Sequence, residues 1–149
     1  MTDTIATDNP FTDDELGVLR SLAAMVIPEN AAYSVPGADD DLIFADIRVS
    51  AQGNEVAVRK GLQLAMTVQQ ALGSTLSATN LDGYDRLEGR AELGPVVGLI
   101  LQCYYRDDRV MESLGMEARP PFPKGFQVDQ GDWSMLEAVQ QRGKIWRDA

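Results

Sequence analysis

The chain has 149 residues, 44% of them hydrophobic, a formal net charge of −10, no histidine and one cysteine. That length fits one ordinary domain, and the apolar share excludes wholesale disorder. The acidity disfavours nucleic-acid phosphates and anionic lipid surfaces, the missing histidines remove the commonest general base and metal ligand, and a lone Cys103 excludes an internal disulfide or a cysteine–histidine zinc cluster.

The charge is uneven. Residues 1–46 hold ten acidic side chains and one basic one, Arg20, whereas the remainder holds thirteen and twelve. The first fifteen residues, "MTDTIATDNPFTDDE", have no basic region, apolar core or twin arginine. No export signal is therefore expected, and a cytoplasmic protein is. The longest apolar run, "PVVGLILQC" (95–103), falls well short of the ~18 residues of a membrane span, so no membrane insertion is expected.

In chain order, "TDDELGVLRSLAAMVIPEN" predicts a helix. Thr12 and Glu15 have capping-box spacing, Phe11 and Leu16 occupy the staple positions, and Pro28 stops the helix. Pro36-Gly37 predicts a turn, and Asp39, Asp40 and Asp41 then sit where the next helix begins. There they favour the positive end of the helix dipole, a better fit than a calcium loop, whose ligand register is missing. In "LIFADIRVSA", Leu42, Ala45 and Val49 share one face and Ile43 and Ile47 lie beside it, with Gly53-Asn54 as the stop. The next helix carries Val58, Leu62, Ala65, Val68 and Leu72 as a stripe, and Gly73 as its C-terminal cap. "STLSATNLDGYDRLEGRAE" predicts a loop with a short helix. Pro95 opens a helix through about Arg106, which is apolar nearly all round and hence expected at the centre. Asp107 or Asp108 caps a short helix ending at "SLG", and Asp132 a last one within "DWSMLEAVQQRG". The expected fold is all-α, a bundle of about five helices over residues 1–115 with a C-terminal docking arm over 116–149, one structural domain in all.

No catalytic residue set, no metal site and no Gly-rich phosphate loop is recognisable, so no cofactor is expected in this chain. Asp107, Asp108 and Glu112 are candidates for carboxylate chemistry, but Arg106 and Arg109 are interleaved with them, as on a solvated salt-bridge face. Cys103, on the apolar helix, is expected to be a buried, unreactive thiol, with a reactive or partner-linked thiol as the alternative.

The stretch "RPPFPKGFQVDQGDW" (119–133) packs three prolines, two phenylalanines and a tryptophan into a segment too broken for a helix. Prolines lower the entropy lost on docking, and aromatics with arginine are the residues enriched at interface hot spots. The candidate partner-binding residues are therefore Tyr104, Tyr105, Arg106, Arg109, Pro120, Pro121, Phe122, Pro123, Phe126, Trp133 and Trp146. The same arm could instead pack on its own bundle.

"LAAMVIPEN" followed by "VPGADDDLIFADI" resembles the opening of the gluconate 2-dehydrogenase subunit 3 family, and "YYRDDRVMESLG", "RPPFPKGF" and "DWSMLEAV" resemble a branch of such small subunits. The likeness covers roughly the first and last thirds of the chain, and the middle is generic helix. The resemblance implies a noncatalytic helical subunit that assists folding, flavin loading or stability of a large FAD-dependent dehydrogenase of the glucose–methanol–choline type, with the FAD in that partner. Many relatives carry a twin-arginine signal, and this sequence departs from them there. The alternative from the residues alone is an independent helical isomerase or lyase that uses carboxylates and tyrosines, with a regulatory binding protein third.

Overall fold

The computed structural model describes residues 9–118 and 131–142 and, for Trp133 and Met135, the backbone alone. Among these residues every regular element is helical, apart from one isolated antiparallel bridge between Asn30 and Val35. The fold is all-α. The chain divides into two compact units, residues 1–118 and 119–149.

The first unit begins with α1, Asp13–Val26. Thr12 accepts from the Glu15 amide at 3.2 Å, and the Glu15 carboxylate accepts from the Thr12 amide at 2.9 Å, the reciprocal capping box its spacing predicts. Phe11 is buried and Leu16 packs against the core, as staple residues should. α2 spans Asp41–Ala51, with Asp40 as its N-cap. A single 3₁₀ turn, Gln52–Asn54, joins it to α3, Glu55–Leu72, which ends on Gly73 in the left-handed conformation at φ 64°. α4 is the short helix Leu81–Leu87, capped by Asn80. α5, Gly94–Tyr104, has proline in its first turn, and α6, Asp108–Ser113, is capped by Asp107.

The core is one cluster. Leu19, Ile43, Ile47, Leu62, Val96 and Ile100, from α1, α2, α3 and α5, are all but fully buried in it. Fully burying side chains of this size is worth about 1.5–3 kcal/mol each. α3 is the hub, packing on α1, α4, α5 and the 3₁₀ turn Ala91–Leu93. Gly61 makes that approach possible. A Cβ there would stand 2.6 Å from a Val96 methyl and 2.9 Å from the Glu92 carbonyl oxygen.

Two expectations need correction. The face of α2 with Leu42, Ala45 and Val49 is the exposed one, and Ile43, Phe44, Ile47 and Ala51 are the buried set. Both faces are apolar, so periodicity alone offered two orientations. Packing chose the face carrying Phe44 and the two isoleucines, which puts more apolar area out of water. α5 does pack on α1, α2 and α3, but it is not enclosed: Pro95, Gly98, Leu101 and Gln102 face outward.

In the second unit the described residues form a 3₁₀ turn, Trp133–Leu136, whose cap Asp132 accepts from the Ser134 amide, followed by α7, Glu137–Gln141. Leu136 and Val139 are exposed.

Candidate partner interface

Three arginines pair with the acidic side chains on and just before α2. Arg106, just past α5, donates through Nε to Asp46 at 3.0 Å and through Nη2 to the Ser50 hydroxyl at 3.0 Å. Arg109, in α6, donates to Asp40 at 2.6 Å and to Asp107 at 3.0 Å. Arg20, in α1, pairs with Asp41 and donates to the Asp39 carbonyl oxygen at 2.8 Å, with its guanidinium 5.1 Å from the centre of the Phe44 ring. The Arg109 guanidinium holds the carboxyls of Asp40 and Asp107 below the usual aspartate range, and its own pKa rises in return. A fourth arginine, Arg59 of α3, joins Glu15, Glu55 and the Pro10 carbonyl oxygen, and stacks near Phe11. Burial alone would raise the Glu15 carboxyl. The Thr12 amide and Arg59 overcome that and hold it below its ordinary value.

These contacts place the candidate residues from the sequence. Tyr104 is buried, and its hydroxyl donates to the Pro36 carbonyl oxygen at 3.2 Å, so it is a core residue and burial pushes its pKa up. Arg106 and Arg109 are half-exposed and committed to α2. Tyr105 is exposed, with its ring edge-on to Tyr104. Pro120, Pro121, Phe122, Pro123, Phe126 and Trp146 lie outside the described residues, as does the Trp133 side chain. Asp107 is a helix cap paired with Arg109, which accounts for its placement among charges. Cys103 is buried beside Arg106, with Nη2 at 3.6 Å from Sγ, yet desolvation raises its pKa and keeps it a thiol.

Part of what the first unit leaves outside is apolar. Leu42 and Val49 of α2 are 69% and 67% exposed, and with Ala45 they form a stripe along one side of the helix. Tyr33, in the loop before α2, is 74% exposed. The aspartates flanking the stripe are neutralised from within by Arg20, Arg106 and Arg109. That pairing satisfies the acidic side chains of α2, while the exposed Arg48 has no ion pair among the described residues and the apolar side chains stay open, the pattern of an interface core inside a polar rim. The signal available in the sequence was the second apolar set of α2, which reads as a core face until the packing is known.

A separate hollow of about 400 Å³ opens between α1, α4 and α5. Leu22, Met25, Val26, Leu87, Leu93 and Val97 make its apolar wall, and the exposed side chains of Tyr84, Glu88 and Arg90 also line it. No helix among the described residues is long and apolar enough to cross a membrane. Comparison with family models, with curated proteins and with solved structures finds no match.

Proposed function

We propose that this chain is a noncatalytic helical subunit that docks on a large FAD-dependent dehydrogenase and supports its folding, flavin loading or stability. The supporting observation is the α2 stripe, Leu42, Ala45 and Val49, left open on a helix whose acidic side chains are internally paired. Monomers avoid large contiguous apolar patches, and a second protein is the ordinary cover for one. The identity of that protein comes from the resemblance of "LAAMVIPEN", "VPGADDDLIFADI" and the C-terminal blocks to the gluconate 2-dehydrogenase subunit 3 family. On this reading the flavin and the catalytic residues belong to the partner, a sugar, polyol or other alcohol dehydrogenase, and the complex is cytoplasmic.

Co-expression with a large flavoprotein dehydrogenase encoded beside this chain tests it. The chain should co-purify with that protein and raise the yield of soluble, flavin-loaded enzyme. A neighbour equally loaded and active alone would overturn the reading. One observation favours a second reading, an independent isomerase or lyase: the Tyr84 hydroxyl lies 3.4 Å from a Glu88 carboxylate oxygen, both lining the apolar hollow. Turnover of a small substrate by the lone chain, lost in Glu88→Gln, would establish it.

A further inference from the structure

The loop between α1 and α2 contains a small, closed turn. Asn30 and Val35 exchange backbone hydrogen bonds at 3.1 and 3.2 Å. Inside it the Ser34 amide donates to the Ala31 carbonyl oxygen at 3.2 Å, and the Ala32 amide to Asn30 Oδ1 at 3.0 Å. Ser34 adopts φ 54°, the left-handed region that a non-glycine residue enters only when its surroundings hold it there. The base of the turn is fastened to the core. The Ala38 amide donates to the Ile27 carbonyl oxygen at 2.9 Å, Tyr104 donates to Pro36, and Gly37 sits where a Cβ would meet the Glu29 nitrogen at 2.9 Å. At the tip stands Tyr33, 74% exposed, its amide donating to the Asn30 carbonyl oxygen at 3.3 Å and its side chain without a hydrogen-bond or ring partner among the described residues.

We infer that this turn is a recognition knob, with Tyr33 as the anchor that enters a ring-sized cleft on a protein partner. The strained tip buries nothing, since its four residues are all exposed, although the anchors Ala38 and Tyr104 at its base belong to the core. The turn's hydrogen bonds do fix the backbone that carries an aromatic side chain, which reduces the entropy lost on binding, and tyrosine is among the residues that dominate interface energies. Charge says which kind of cleft fits. Residues 29–39 carry Glu29 and Asp39, neither with an ion pair among the described residues, and no lysine or arginine, whereas Asp40, Asp41 and Asp46 are already paired with Arg109, Arg20 and Arg106. The cleft is therefore apolar, with a hydrogen-bond partner for the phenol at its end and basic side chains at its rim. A second copy of this chain, itself at −10, meets that requirement poorly.

Naming the large flavoprotein as the owner of the cleft rests on the accessory-subunit reading, and the experiment separates the two. The full chain, Tyr33→Ala and Tyr33→Phe are each titrated against the neighbouring-gene flavoprotein, with tyrosine nitration mapped by mass spectrometry before and after mixing. The expected result is protection of Tyr33 in the complex, affinity reduced about 30-fold in Tyr33→Ala, a smaller loss in Tyr33→Phe, whose ring fills the cleft but leaves its hydrogen-bond partner unmet, and unchanged thermal unfolding of both variants. A wild-type complex in which Tyr33 stays reactive and Tyr33→Ala binds equally overturns the knob and leaves the accessory reading standing. No wild-type complex overturns both. Protection of Tyr33 in the lone chain at high concentration, with a dimer in sedimentation, overturns the assignment of the cleft to another protein.

Discussion

At the scale of the residue, single side chains in this protein serve two elements at once. Arg109 ties the caps of α2 and α6 together, through Asp40 and Asp107. Both carboxyls titrate lower in the folded chain than in the unfolded one. The native state therefore binds fewer protons, and the stability these pairs contribute is complete above about pH 4, the unfolded aspartate value. It is lost as pH falls through the depressed native values. Arg109→Met should lower stability at pH 7 by about 1 kcal/mol or less, since the pairs are partly solvated. It should also make the loss of stability below pH 4 shallower than in the wild type, as followed by thermal melts across pH. Gly61 is a residue where little change is tolerated. Gly61→Ala presses on the Glu92 backbone and should cost about 1–3 kcal/mol, read from denaturant midpoints. Nothing in "VRKGLQL" flags that glycine as special, because its reason lies on a segment thirty residues away.

At the scale of the element, α2 carries the functional argument. Its buried and open faces are both apolar, and its acidic side chains are held by arginines from α1, from the end of α5 and from α6. Replacing the open stripe should therefore separate folding from binding. The double variant Leu42→Asp, Val49→Asp is expected to keep its melting temperature within a few degrees, because exposed positions change stability little. The same variant should lose co-purification with the flavoprotein dehydrogenase, because it sets charges in the middle of the proposed contact. A large drop in melting temperature would show that the stripe is covered by this chain itself. The local signals on the other helices were legible without the structure. Thr12 and Glu15 cap α1, Gly73 ends α3, Pro95 opens α5, and Asp107 and Asp132 cap the segments that follow them. Each is a contact between residues close in sequence, so spacing alone specifies it.

At the scale of the whole molecule, the described core draws its side chains from residues 11–110. A chain ending at Ala118 should accordingly keep helical circular dichroism and a cooperative thermal transition, while losing the rise in flavin-loaded enzyme that the full chain is proposed to give. Loss of the cooperative transition would show that residues 119–149 complete the core.

The sequence by itself determined the helical class, the order and boundaries of most helices, and the position of Cys103 inside. These follow from capping, from proline and glycine placement, and from apolar periodicity, all of which act over a few residues. Tertiary structure alone decided that Tyr104 points inward to Pro36, that Arg20, Arg59, Arg106 and Arg109 are the fasteners, and that Leu42 and Val49 remain outside. The physical reason is that each depends on which surfaces meet. A helix with two apolar faces buries whichever set fills the space between its neighbours, and an arginine pairs with whichever carboxylate the packing brings within reach.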